Sequence, residues 1–338
     1  MTQPIQPLTW IEAYRMRWKR RRLLWRAYRA RHQVKVVQNN TDQIKKSDVL
    51  VFAVVRNEAE RLPHFLQHYR ALGVGHFLII DNNSDDGSSS ILKSQQDVSV
   101  WGSEANYRDA RFGLDWVSWL LMKYGHGHWC LTVDADELLV YHAEGKDLPH
   151  LTKALDGQGL PAMGALMLDV YPKGAIGSQD SPTDPFQTLQ WFDAGPYRAS
   201  RQRPVQNLWV QGGARERVFF ADHPQRSPTL NKLPLVKWNR RYAYVNSTHS
   251  MLPPIMNSCY DGPGDPRACG VLLHTKFLPS IVSKSETERQ RAQHFTHPET
   301  FADYYAQIAQ TPDLWTDASV FYEGPEQLVR LGLMSSVD

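Results

Sequence analysis

The segment Leu131-Thr-Val-Asp-Ala-Asp-Glu-Leu-Leu-Val140 places Asp134, Asp136 and Glu137 between two apolar runs. An apolar run of this kind reads as an interior strand. Burying even one unpaired carboxylate costs several kcal/mol or makes it take up a proton, so something must compensate for the charge. Asp134 and Asp136 are two residues apart, which on an extended backbone puts them on one side, within reach of one ion and its ligands. Hard oxygen ligands suit magnesium or manganese rather than zinc.

Two other strand ends are polar in the same way. Arg56-Asn57-Glu58 follows the β-branched run at 49–55, and Asp81-Asn-Asn-Ser-Asp-Asp86-Gly87 follows the apolar residues 77–80. In an open parallel sheet, ligands bind beyond the carboxyl ends of the strands, so acidic residues at successive ends argue for one shared site. The chain has neither a Gly-rich P-loop nor a Gly-x-Gly-x-x-Gly fingerprint. A nucleotide bound here needs its phosphates neutralised by other means, and a divalent ion held on carboxylates supplies that.

The elements that must carry these ends alternate. Helical patterns at 58–72, from about 86 onward, and at 113–123 separate the strands at 49–55, 77–80 and 129–133. Strands alternating with helices imply right-handed crossovers and an α/β fold with a mainly parallel, Rossmann-like sheet. Beyond Gly164, further strands are predicted at 165–168, 217–220, 235–238 and 270–273, and closing helices at 283–293 and 298–310.

The 338 residues suffice for one large or two medium domains. Three cysteines, Cys130, Cys259 and Cys269, are too few and too irregularly spaced for a disulfide framework or a thiolate zinc site. No apolar run approaches the roughly 20 residues that span a bilayer. The expected location is cytoplasmic, with peripheral attachment to the inner face of the membrane. The net charge of +3 hides an arm at residues 1–46 in which twelve Lys and Arg face only Glu12 and Asp42. Within it, Ile11, Tyr14, Trp18, Trp25 and Tyr28 recur at helical spacing over residues 8–31, a basic amphipathic helix. That helix suits an anionic membrane surface, or it packs its aromatic face on the body or a second subunit. Binding to nucleic acid is disfavoured because the body of the chain is acidic overall.

Taken in order, Val54-Val-Arg-Asn-Glu58, Ile79-Ile-Asp-Asn-Asn-Ser-Asp-Asp-Gly87 and Val133-Asp-Ala-Asp-Glu137 resemble a family 2-type glycosyltransferase of the A fold, in the subgroup of bacterial family 2-like and family 92-like enzymes. The resemblance covers about residues 48–142, loosens toward about 280 and omits the N-terminal arm. It implies a single catalytic domain at 47–280, with a nucleotide-sugar part at 47–142 and an acceptor part at 143–280, followed by a helical extension at 281–338. By that resemblance Arg56, Asn57, Glu58, Asp81 and Asn82 would hold the base and ribose of a UDP-sugar. Asp136 would ligate the metal, Mn2+ or Mg2+, and Asp134 would face the ribose or the ion's water shell. The wider family often carries a second carboxylate where this chain has Asn82. Arg108 or Arg111 would approach a phosphate, and His274, which shares a face with Lys276 after an apolar strand, would complete the metal site.

An inverting transfer needs a carboxylate to take the acceptor's proton. Glu216 and Asp169 are the candidates, with a salt bridge to Arg215 or Arg217 as the other reading of Glu216. The Glu-Asp pair and Gln-x-x-Arg-Trp motif of processive family 2 synthases are absent. Lys232, Lys237, Trp238, Arg240 and Arg241 are expected to form a basic, aromatic patch on the acceptor side. The implied activity moves a sugar to a glycan or lipid-linked acceptor in surface polysaccharide or glycolipid synthesis. A sugar-phosphate nucleotidyltransferase is the alternative, though it should show a Gly-rich basic loop where this chain has Val54-Val-Arg-Asn-Glu58. A non-catalytic membrane- or nucleic-acid-binding protein is the alternative from another class.

Overall fold

β-branched and aromatic runs bounded by Gly, Asp and Pro become the strands of one large sheet. The computed structural model describes residues 7–143, 147–179, 184–285, 304 and 306–337. Helix α1 (Trp10–Ala30) leads through β1 (Lys35–Gln38) into β2 (Leu50–Val55), α2 (Leu62–Ala71), β3 (His76–Asp81), α3 (Ser88–Lys93), β4 (Val98–Gly102) and α4 (Leu114–Leu120). Next come β5 (Trp129–Thr132), β6 (Glu137–Val140), α5 (Leu148–Gly157) and β7 (Ala162–Tyr171). The remainder holds β8 (Trp191–Phe192), β9 (Tyr197–Gln202), β10 (Asn207–Gly212), α6 (Gly213–Phe219), β11 (Asn231–Lys237), β12 (Ala243–Tyr244), β13 (Met251–Leu252), β14 (Cys269–His274), β15 (Val320–Phe321) and α7 (Pro325–Arg330).

The sheet runs β1-β4-β3-β2-β5-β11-β7-β14-β6, with β8 added on β7 and β15 on β8. Strands β4, β3, β2 and β5 are mutually parallel, and β14 is parallel to β7. Strand β11 runs antiparallel between β5 and β7, while β1 and β6 run antiparallel at the ends of this path. The architecture is α/β, with a large mixed, mostly parallel sheet. Strands β3, β7 and β14 are buried along their whole length, as strands covered on both faces are. From β2 the chain steps to β3 on one side, whereas β5 lies on the other. That reversal opens a crevice at the carboxyl ends of β2 and β5.

Several elements differ from expectation for local reasons. The helix expected from residue 58 begins at Leu62, because Pro63 is tolerated in a first helical turn but not in an interior. Residues 217–220, expected as a strand, fall largely in α6. Gly212 and Gly213 (φ 136° and 72°) break the preceding strand, and a Cβ on Gly212 would stand 2.3 Å from the Pro196 carbonyl oxygen. An apolar run of four is too short to reveal its period. Strands β1, β4, β6, β8, β9, β10, β12, β13 and β15 were not expected. The closing helices at 283–293 and 298–310 fall mostly outside the described residues, although 306–309 are helical.

Candidate functional site

The turn between β5 and β6 carries the three carboxylates. Glu137 N donates to Asp134 O at 3.1 Å, so residues 134–137 form a β-turn and not the extended backbone expected for Asp134 and Asp136. Their carboxylates consequently part. Asp134 is 55% exposed and lies 3.6 Å from Lys232 Nζ, whereas Asp136 Oδ2 meets His274 Nε2 at 3.1 Å. Glu137 points inward, 1% exposed, and binds Lys232 Nζ at 2.8 Å. Burial opposes the Lys232 charge, but Glu137, Asp134 and Asp136 outweigh it and raise its pKa. The charge that puzzles in the sequence is therefore balanced in part by the protein's own cations.

Sheet register builds the rest. His274 closes β14, level with Asp169 on β7 and Glu137 on β6. His274 Nδ1 lies 2.6 Å from Asp169 Oδ1. Arg215, from α6, donates to both Asp169 oxygens at 2.8 and 2.9 Å. One face of the imidazole is thus fixed by an anchored carboxylate, and Nε2 is presented to Asp136. Burial disfavours the imidazolium, but Asp136 and Asp169 prevail and raise the His274 pKa. The turn itself is pinned to the end of β14, since Asp136 O accepts from Thr275 N (2.8 Å) and Thr275 Oγ1 (3.1 Å). Arg61, 4% exposed, binds Glu58 at 2.8 Å, and together with His274 it holds Asp136 ionised against its burial. Burial and Arg215 push Lys276 down to about 8.

Beside this cluster, Phe52, Val54, Tyr107, Phe112, Asp134 and Thr248 line the crevice between β2 and β5. Its wall holds an unusual run, because Arg111, Phe112 and Gly113 all take left-handed φ of 54°, 57° and 74°. Each such non-glycine residue costs about 1–3 kcal/mol, a strain that collects at ligand sites. A Cβ on Gly113 would come within 2.9 Å of Val54 and Tyr107. Thr248 Oγ1 is buried in the same wall with no hydrogen-bond partner among the described residues, the kind of orphan that a ligand or water satisfies.

The remaining expected residues lie outside the crevice lining, in a neighbouring loop cluster or in the scaffold. Arg56 donates to Asn82 O (3.0 Å), Asn57 Nδ2 bonds Asp85 (2.8 Å), and Asp81 accepts from Ser84 N (3.0 Å) and Ser84 Oγ (2.6 Å). Asn82 Nδ2 donates to Ser103 O and Ala105 O, at 2.8 and 3.2 Å. These four residues therefore share one loop cluster above β2 and β3, and Glu58 joins Arg61 and Lys284 beside it. Arg108 is exposed on the loop before α4. Arg111, expected at a phosphate, spends its guanidinium on Asp115 (3.0 Å) and on the carbonyls of Tyr244 and Val245 (2.9 Å each).

Neither expected base has an unengaged oxygen. Glu216 is gripped by Arg198 at 2.6 and 2.7 Å and accepts from Ser227 Oγ at 2.8 Å, so its partner is not Arg215 or Arg217. Asp169 is shared between Arg215 and His274. The expected basic patch does not form, because Lys232 is 3% exposed and Trp238 2%, while Lys237 pairs elsewhere with Asp156. Arg61 is a charged partner that sequence reasoning missed, while Lys232 and Arg215 were named there with other partners. Lys232 had a signal, a lone cation in the apolar stretch Leu230-Asn-Lys-Leu-Pro-Leu-Val236, the complement of carboxylates in an apolar run.

Among the described residues, no group of three or more His, Cys, Asp or Glu side chains is arranged to hold a metal ion. Asp136 and His274 form a two-donor pair, backed on the far side of the imidazole by Asp169. No protein-family model and no curated protein matches the chain.

Proposed function

We propose that this chain is a metal-dependent glycosyltransferase that moves a sugar from a nucleotide-sugar donor, a UDP-sugar in the simplest case, to a glycan or lipid-linked acceptor. The observation that carries the reading is the Asp136–His274 contact at 3.1 Å, with His274 Nδ1 fixed by Asp169. A carboxylate on the far nitrogen of a histidine sets its tautomer and orients it as a metal ligand. Two protein donors fit magnesium or manganese, which are commonly held by one or two carboxylates plus substrate phosphates and water. When bound, such an ion stabilises the negative charge that develops on the departing diphosphate.

The chain's own groups do the rest. To serve as a ligand, His274 gives up its Nε2 proton, while Asp169 keeps the Nδ1 proton in place. Lys276, close enough to Asp136 to help hold it ionised, supplies a second positive charge for the diphosphate. Lys232 keeps Glu137 folded inward, so the turn presents only Asp134 and Asp136 toward solvent. The crevice at the switch point, with Tyr107 and Phe112 in its wall, takes the base and ribose. Neither Glu216 nor Asp169, both held by arginines, serves proton transfer: Glu216 belongs to the scaffold and Asp169 orients His274.

The reading is tested by incubating the chain with a panel of nucleotide sugars and measuring release of nucleoside diphosphate with manganese, with magnesium and with chelator. Release from at least one donor, dependent on the ion and abolished in Asp136→Ala, is expected. Ion-independent release, or none from any donor, would overturn the reading.

A further inference from the structure

Helix α1 has two apolar faces. On the inner face Met16 packs with Val205 and Leu252, Leu23 lies alongside, and Ala27 and Ala30 are buried. At 3.6 residues per turn, Trp10, Ile11, Tyr14, Trp18, Trp25 and Tyr28 fall within a sector of about 100° on the opposite side. All six remain in solvent, from 38% exposed at Tyr28 to 79% at Trp10. Neighbours stack along the helix, Trp10 on Tyr14 with centroids 5.7 Å apart and Trp25 on Tyr28 at 5.6 Å. The result is an aromatic strip about 27 Å long, far from the scattered single residues that need no explanation.

Cations frame the strip. Exposed Arg15, Arg17, Arg22 and Arg29 lie at or beside its borders, whereas Arg21 falls within the strip, its guanidinium 5.4 Å over the Trp18 ring. The helix's one acid, Glu12, is neutralised by Arg203 at 2.6 Å. Indole and phenol rings prefer the headgroup level of a bilayer, and arginines snorkel from that depth to acidic headgroups.

We infer that the outer face of α1 is a docking surface for an anionic lipid bilayer, with the helix lying in the plane of the interface. Charge decides against the other occupants. A second copy seated on this strip in a two-fold contact would bring two strongly cationic helices together. A nucleic acid would match the arginines but offers no continuous apolar layer for a strip of six large side chains. The helix is also joined to the crevice. Arg26 from α1 and Arg111 from the left-handed segment both bind Asp115, at 2.9 and 3.0 Å, so the lipid-facing helix and the crevice wall share one buried carboxylate. This inference does not depend on the transferase reading.

The test uses the full chain with vesicles of phosphatidylcholine alone or mixed with phosphatidylglycerol, following co-sedimentation and tryptophan emission. Binding to the anionic vesicles only, weakened by salt and accompanied by a blue shift, is expected. Replacing Trp10, Trp18 and Trp25 together by Ser should weaken binding about tenfold or more. The pair Arg21→Glu and Arg22→Glu should weaken it by a similar factor, and serves as the test if the triple variant fails to fold. Absence of binding to anionic vesicles, equal binding to neutral ones, or insensitivity to these substitutions would overturn the inference. So would tighter binding to duplex DNA than to vesicles, or a wild-type dimer in sedimentation velocity that the Trp substitutions dissociate.

Discussion

His274 is oriented by Asp169: its Nδ1 lies 2.6 Å from one carboxylate oxygen, while Arg215 donates to both oxygens of that carboxylate. The triad joins β14, β7 and α6, so the imidazole cannot swing away from Asp136 without breaking a buried ion pair.

Asp169→Asn therefore has two separable effects. Removing the carboxylate that orients a ligating histidine should lower manganese affinity by about 10–100-fold. It also leaves Arg215 buried without its counter-charge, at a cost of about 3–5 kcal/mol in urea unfolding. The double change Asp169→Asn with Arg215→Met should recover most of the stability but none of the metal affinity. Recovery of both would show that Asp169 acts only through folding.

The Lys232–Glu137 pair is a second strong dependence. Both side chains are nearly inaccessible, at 3% and 1% exposure. Lys232→Met should destabilise the chain by about 3–5 kcal/mol because it strands Glu137, and adding Glu137→Leu should restore most of that loss. Single and double variants with the same unfolding midpoint would contradict the assignment.

Acid should destabilise the chain through histidines held neutral. Burial pushes His68 down to about 4 and His249 to about 3 from an ordinary 6.5, although each is bonded to a backbone carbonyl. The unfolded chain protonates these rings near pH 6.5 while the folded chain resists. Stability is therefore complete above about pH 6.5 and falls as the pH drops toward 4, by about 1.4 kcal/mol per pH unit for each ring. His68→Gln should flatten the stability–pH slope in that window by about one such increment. An unchanged slope would place the acid sensitivity elsewhere.

What could be read from the sequence follows from which forces are local. Strands β2, β3 and β5 were legible because β-branched and apolar runs end abruptly in polar residues; the ends of β2 and β5 line the crevice, while the end of β3 joins the loop cluster around Asn57 and Asp85. The separation of Asp134 from Asp136 was not, because a β-turn at residues 134–137 replaces the extended geometry that a period of two assumes. Lys232 was misplaced on the surface because Pro234 interrupts the run and hides that Asn231–Lys237 is one strand. For α1 the period was plain, but not which face would dock. Small residues, Ala27 and Ala30, approach the body closely, and the larger aromatic side is left outside. Partners joined through sheet register, such as Asp169 and His274, carry no local signature at all.

Manganese binding followed by electron paramagnetic resonance tests the central claim most directly. Titrating the ion into the chain with UDP should remove the free aquo-ion signal until a single ion per chain is bound. Asp136→Ala and His274→Ala, each with an unchanged melting profile, should leave that signal in solution at the same concentrations. Equal binding by the two variants, or no binding by the wild-type chain with UDP or any other nucleoside diphosphate, would contradict the account.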